Sequence, residues 1–429
     1  MKASFKTVDI TPPIGMQMAG YSERTHGTTG IHDPILVQAF VIDDGHDKIA
    51  YAMCDVVGID LYATNKVRSI INKATKIPKE NIMIGAIHTH SSVFACRLNG
   101  QNFLPIIQFD EESDNAYYQQ FIQKIAGAVI WANDTLQDAK IGLGITHLDE
   151  LGTNRNDPKA YYDNQVSVIR VDDPDNNLVG AIIHHACHPT VLNQDNYLIS
   201  ADFVGSMRMQ LNQAIPNTTF MYSQGAAGSA STRFTKKNSS FEEADRLASF
   251  LSKKVLSILP NIETTSEINV SSKTEKLILN IKDFPSDEEC IQQIEKYKEN
   301  LKHLEDTNSS LQEIRKAYVT LQGAERNFIK KKNLTIHSLE TEMQCLDFGE
   351  FKIIGIPADC FGEISRDIKN LISDKHVLVA GYTNDFVSYI LSKEGYAMDC
   401  YEKNMTIVTE KAHDEIVRIA NILIEKQSN

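Results

Sequence analysis

Apolar residues fall along this chain in two rhythms, and their order predicts the architecture. "ILVQAFVID" (35–43) is apolar and β-branched; after a "DDG" turn comes a second apolar run, "KIAYAMCDVVGI". Both read as buried strands. In "ATNKVRSIINKATK" (63–76) the apolar positions recur at helical spacing, and "ENIMIGAIHTHS" (80–91) returns to strand character. Strand, helix, strand predicts a crossover with parallel strands. Residues 115–137 read as a helix. "NQVSVIRVDD" and "LVGAIIHHACHPTVL" read as strands joined by a turn at "PDNN". "FEEADRLASFLSKKVLSIL" (241–259) predicts an amphipathic helix. "TEMQCLDFGEFKIIGIPA" predicts an antiparallel hairpin about "GE", followed by a helix, a strand at "HVLVAGYT" and a helix over 410–426. The sum is an α/β fold of mixed sheets with flanking helices.

One segment breaks the pattern. Residues 286–333 are heavily charged, with apolar positions at helical spacing and "DTNSS" in the middle. They predict a helical hairpin inserted into a single domain spanning 1–429. A solvated structural insertion is the plainer expectation, and a substrate lid or oligomer contact the bolder one.

Composition narrows the function. The chain carries 43 Lys+Arg against 56 Asp+Glu, a net charge of −13. Such a chain is a poor ligand for phosphate backbones or anionic lipid. No nucleic-acid partner is expected, and net charge argues against anionic substrates unless the local charge of a site differs. No run approaches the ~20 apolar residues of a transmembrane helix, and the start "MKASFKTVDITPP" has no apolar leader. Seven scattered cysteines without a CxxC point to a reducing cytoplasm.

Candidate chemistry gathers at strand ends. In "GAIHTHSS", His88 and His90 sit two apart. On a strand they would share a face, with backbones roughly 7 Å apart. One can then bind a metal while the other acts on substrate; ordinary loop histidines remain the alternative. "AIIHHACHPTVLN" adds His184, His185 and His188, with Pro189 implying that the strand ends at His188. A buried histidine needs a partner, either a metal or a hydrogen bond. Asp55, Asp202 and Asp359 lie at comparable strand ends, where open α/β sheets place their sites. Zinc accepts such nitrogen and oxygen donors. "SQGAAGSAST" (223–232) lacks the lysine and spacing of a phosphate loop. It reads as a tight turn presenting Ser229 or Ser231.

These pieces together resemble the catalytic N-terminal domain of the neutral ceramidase family. The resemblance rests on "VDITPPIGMQMAGYSE", "GIHDPILVQAFVID", "YAMCDVVGI", "NIMIGAIHTHSS", "TNRN", "HPTVLN", "ISADFVG", "QGAAGSAS", "IPAD" and "YTNDFVSYILSKEGYAMDCYE", in the family's order. It implies one Zn²⁺ per chain, bound by His88, His188, Asp359 and Tyr389. It places His90 beside the metal site as a proton-transfer group and Arg155 as the site arginine. Ser231 falls at a serine proposed as a nucleophile in the family. Asp55 and Asp202 would be supporting acceptors that orient histidines. The chain departs from the family where "PAD" stands for PGE, making Asp359 one methylene shorter than the usual glutamate, with Glu363 as a fallback ligand. "GSAST" stands for GDVSP and "HTHSSV" for HTHSGP, and the family's C-terminal immunoglobulin-like domain has no counterpart. The implied activity is zinc-dependent hydrolysis of a linear amide, in a small-molecule or lipid substrate, with lipid metabolism as a setting. Esterase, lactonase or N-deacetylase action on a small polar molecule is the second expectation, and a non-catalytic metal-binding scaffold the third. A homo-oligomer is compatible with all three.

Overall fold

The computed structural model describes residues 1–93 and 111–425. Three sheets carry the fold. The first runs in the order Ile82–Ala86, Lys48–Cys54, Leu36–Asp43, Lys2–Asp9, Gln137–Asp138. Lys48–Cys54 and Ile82–Ala86 are parallel and joined through helix Leu61–Thr75, the expected crossover. Both faces of this sheet are covered, which explains its unbroken apolar runs. Val37, Ala39, Val41, Ala50, Ala52 and Cys54 face helices Leu61–Thr75 and Glu111–Asp134. Phe40, Ile42, Tyr51 and Met53 face the second sheet.

The second sheet has the order Thr219–Gln224, Leu178–His185, Gln165–Asp172, Lys140–His147. Gln165–Asp172 and Leu178–His185 form the antiparallel pair expected about "PDNN". Leu178–His185 and Thr219–Gln224 are parallel, with helix Phe203–Ala214 between them in sequence. The third sheet has the order Ser271–Asn280, Ser338–Asp347, Phe351–Gly355, His376–Ala380. Its last two strands are parallel and joined through helix Gly362–Lys369, and helix Lys411–Ile424 packs on the face that carries Leu277, Met343, Cys345 and Ile354.

Each sheet therefore contains one parallel pair, and the chain leaves those strands toward a common centre. His88 lies two residues past Ala86, His188 three past His185, and Asp359 four past Gly355. Open α/β sheets place ligands at such carboxyl ends. The junction is stitched by backbone and by one side chain. The Ala86 amide donates to the Tyr382 carbonyl (3.1 Å), and the Gly381 amide to that of Gln224 (3.1 Å). The buried Gln224 amide donates to the carbonyls of Ile87 (2.8 Å) and Cys187 (2.9 Å), while its oxygen accepts from the Cys187 amide (3.1 Å).

Residues 286–333 form helices Asp287–Asp306 and Leu311–Asn333, each started by a serine capping box. They are inserted at the open end of the strand pair Ser271–Asn280 and Ser338–Asp347, whose register runs to Asn280↔Ser338. Ala317, Leu321 and Ala324 are buried, and the second helix packs on the short helix Tyr401–Met405. The insertion is thus not wholly solvated.

Candidate metal centre

His88, His90 and His188 bring their ring nitrogens within 4.8 Å of one another. The first two meet for a reason other than strand pleating. The strand ends at Ala86, and His88 takes a left-handed backbone, φ 68°. Such a conformation is costly for a β-carbon and clusters at functional sites. It turns the His88 ring until its centroid lies 4.9 Å from that of His90 and 4.7 Å from that of His188. The His188 strand likewise ends early, at His185, not at His188 itself.

Hydrogen bonds settle two tautomers. His88 Nδ1–H donates to the Val57 carbonyl at 2.5 Å. His188 Nδ1–H donates to the carbonyls of Ala227 (2.7 Å) and Ala230 (3.1 Å). A carbonyl only accepts, so each Nε2 is left unprotonated and carries a lone pair. Both lone pairs face Asp359: its Oδ2 lies 3.3 Å from His188 Nε2 and 3.7 Å from His88 Nε2. That oxygen is buried and accepts no hydrogen bond, while Oδ1 accepts one from the Tyr382 hydroxyl. Burial, far ahead of the flanking charges, lowers His88 to a pKa of about 3. Burial pushes Asp359 up, yet His188, His88 and Arg155 outweigh it and hold the carboxyl at about 2. Two imidazole lone pairs and a carboxylate oxygen aimed at one spot suit a cation, and this nitrogen and oxygen donor set suits zinc.

His90 differs. Its Nε2 is 3.2 Å from His88 Nε2, but its buried Nδ1 has no partner. Burial first, then the neighbouring histidines, holds it well below the ordinary histidine range. Its ring is clasped by the opening motif. Tyr21 meets it edge-on at 5.0 Å, and Arg24 donates to its carbonyl at 2.7 Å. Gly20 has φ 93°, and a β-carbon there would lie 2.4 Å from the ring.

Arg155 is buried, ion-paired with Glu402, and donates to the Tyr389 hydroxyl at 3.1 Å. Its second nitrogen points at His188 Nε2 from 3.4 Å. Asn156 also donates to Glu402, at 3.0 Å. Glu402, Tyr382 and Gln224 escaped the sequence reading as site residues, although all three stand inside quoted motifs. The glycine-rich turn supplies the His188 anchors Ala227 and Ala230, not a phosphate cradle. A β-carbon at Gly228 would lie 2.7 Å from the Asp359 carbonyl, so only glycine lets the turn approach.

Several expectations need correction. Ser231 Oγ accepts from the Arg233 amide at 3.3 Å. No histidine hydrogen-bonds to it among the described residues, so the nucleophile and base pairing is missing. Ser229 Oγ accepts from the Gly362 amide at 3.0 Å. Neither Asp55 nor Asp202 bonds to an imidazole among the described residues; Asp55 holds a guanidinium and Asp202 holds backbone. Asp55 accepts a bidentate pair from Arg208 at 2.6 and 2.7 Å and one bond from Leu36. Asp202 caps helix Phe203–Ala214 and accepts from Val191 and Leu192, just past His188. Burial raises the pKa of Glu363, and among the described residues no ion pair links it to a histidine. His184 and His185 are core histidines, bonded to Ser223 (3.0 Å) and to Tyr162 and Gln165 (2.9 Å each).

A cavity of about 350 Å³ borders the cluster, with His90, His188, Arg155, Tyr389 and Ser231 in its lining. Helix Leu311–Asn333 supplies another part, including Arg315, Tyr318 and Gln322. The inserted hairpin therefore shapes the site.

The family model for the N-terminal part of neutral/alkaline non-lysosomal ceramidases matches residues 4–266. Neutral ceramidase of Drosophila melanogaster is 25% identical over 229 residues, which are 49% of this chain and 32% of that protein. Neutral ceramidase of Pseudomonas aeruginosa is 28% identical over 205 residues, 44% of this chain and 30% of that protein. The chain thus spans about a third of the length of the curated relatives it matches. The crystal structure of neutral ceramidase from Pseudomonas aeruginosa superposes with a TM-score of 0.75 at 19% identity, covering 100% of this chain and 76% of that one. A ceramidase complexed with C2 gives 0.76 at 17% identity, with 98% and 74% covered. These likenesses establish the fold.

Proposed function

The chain belongs to the neutral/alkaline non-lysosomal ceramidase family, and from that premise we propose that it is a zinc-dependent hydrolase of an amide bond. The observation that carries this reading is the buried Asp359 Oδ2, without a hydrogen-bond donor, facing the lone pairs of His88 and His188. His88, His188, Asp359 and Tyr389 would hold the ion. Zinc there would polarise the scissile carbonyl and lower the pKa of water to about 7.

The chain's own groups do the rest. His90 Nε2, on the cluster side of its ring, takes a proton from the attacking water and returns it to the amide nitrogen as the C–N bond breaks. Carboxylic acid and amine are the products. Tyr389 and Arg155 donate to the carbonyl oxygen as it becomes an oxyanion. Glu402 neutralises Arg155 and keeps its fork aimed at Tyr389 and His188.

Elemental analysis joined to turnover of an N-acyl amide panel tests this. His88→Ala is expected to lose both zinc and turnover. His90→Gln is expected to keep zinc and lose about 10²- to 10⁴-fold in kcat. A His88→Ala protein with full zinc content and full rate would sink the assignment. The polar lining of the cavity favours a second reading, ester, lactone or N-acetyl hydrolysis of a small polar molecule. Zinc binding without turnover on any such panel would leave the scaffold reading.

A further inference from the structure

The net charge of −13 hides a cationic cavity. Its lining includes Arg155, Arg233, Lys236, Arg315 and Arg326, against a single carboxylate, Glu23. Two of the cations are balanced. Arg155 pairs with Glu402, and Arg326 lies 3.9 Å from Glu23. Arg233, Lys236 and Arg315 have no carboxylate within 4 Å among the described residues.

Arg233 and Lys236 are held in place by neutral groups. Arg233 donates to the Arg155 carbonyl at 2.9 Å. Lys236 donates to the carbonyls of Thr190 and Val191, both at 2.8 Å, and to Ser239 at 3.3 Å. Arg315 sits exposed on helix Leu311–Asn333, with neither hydrogen bond nor ion pair among the described residues. The three also feel one another. Burial, then Arg155, lowers Arg233 to about 10, with Arg315 adding to the effect. Burial, then Arg315, lowers Lys236 to about 8, against a smaller opposing pull from Asp202. Like charges crowded around a half-buried cavity repel, and an anion between them removes that cost.

We infer that the substrate is an anionic N-acyl compound whose carboxylate or phosphate sits on Arg315, Arg233 and Lys236 while its amide lies at the histidine cluster. The inference rests on the amidase reading and sharpens it: ceramide is uncharged and would leave these cations without an anionic group in contact. Within the described lining Val319 is the one aliphatic side chain, which fits a small acidic amide better than a long acyl chain. The inserted hairpin becomes a specificity element, since it brings Arg315.

The zinc-loaded full chain would be assayed on three matched amides: N-hexanoylglycine, N-hexanoyl-2-aminoethyl phosphate and neutral N-hexanoylethanolamine. At least one acid is expected to exceed the neutral amide about tenfold in kcat/KM, the size of a charge-assisted contact. Whichever acid leads identifies the anion. Arg315→Ala is expected to shrink that preference through KM, Arg315→Lys to keep most of it, and added salt to weaken it. Inorganic phosphate, titrated calorimetrically into wild type and Arg315→Ala, gives a readout free of turnover. Equal rates on all three amides, with unchanged phosphate affinity in Arg315→Ala, overturn the anion site and leave the amidase reading standing. No hydrolysis of any amide, with phosphate affinity lost in Arg315→Ala, overturns the amidase reading and keeps the anion site.

Discussion

Two histidines in the cluster have Nδ1 tied to a backbone carbonyl, and the third has none. That difference separates two fixed donors, His88 and His188, from a ring free to change tautomer, His90, and no spacing in "HTH" encodes it. A second buried group makes a pH prediction. Burial, against three backbone donors and the Lys236 charge, raises Asp202 to about 6 from 3.8. A folded pKa above the unfolded one stabilises the protonated form. The contribution is full below about pH 4 and is lost as pH rises through about 6. The loss amounts to ~3 kcal/mol for a shift of this size. Urea midpoints of wild type should therefore decline between pH 4 and 7 relative to Asp202→Asn. Parallel pH profiles would show that Asp202 is ionised normally in the fold. Histidines were easy to single out as candidates because few residue types bind metal. Glu402 was not, because its partner Arg155 lies 247 positions away.

At the scale of elements, periodicity alone located many of the strands and helices, and the crossover of the first sheet followed from strand, helix, strand order; helix Phe203–Ala214, which makes the crossover of the second, was not read from the sequence. It passed over Lys2–Asp9, Lys140–His147 and Ser271–Asn280. The last of these is half exposed and reads "SSKTEKLILN", so its alternation is diluted by surface charge. The hairpin was visible as a helical insertion, but its role was not. Its charged positions looked like a solvated face, whereas some of them line the cavity. Replacing 287–333 by a short Gly/Ser linker should leave the sheet beneath intact, since the flanking strands pair up to Asn280↔Ser338. Far-UV circular dichroism should lose helix and keep strand signal, and zinc should still bind. Loss of zinc on deletion would mean that the hairpin supports the metal centre itself and not just the cavity wall.

Across the whole molecule, the cluster joins all three sheets. His88 hangs from the first, His188 from the second and Asp359 from the third. An ion held there cross-links distant parts of the chain and binds only the folded state, so it adds stability by mass action. Chelation should lower the thermal midpoint of wild type, and zinc should restore it; His88→Ala should respond to neither. A wild-type midpoint indifferent to chelator, with zinc removed, would show that the sheets meet without needing the ion. By itself the sequence determined the alternation of elements, the sheet faces and the residue types available for chemistry, because these depend on neighbours a few positions apart. The tertiary structure alone decided which of them meet. The left-handed turn at His88, the carbonyl anchors on the rings, the Arg155–Glu402 pair and the unbalanced cations of the cavity all depend on contacts between segments far apart in the chain. A net charge of −13 is a sum over the surface, whereas the field inside a cavity is set by the few groups that line it.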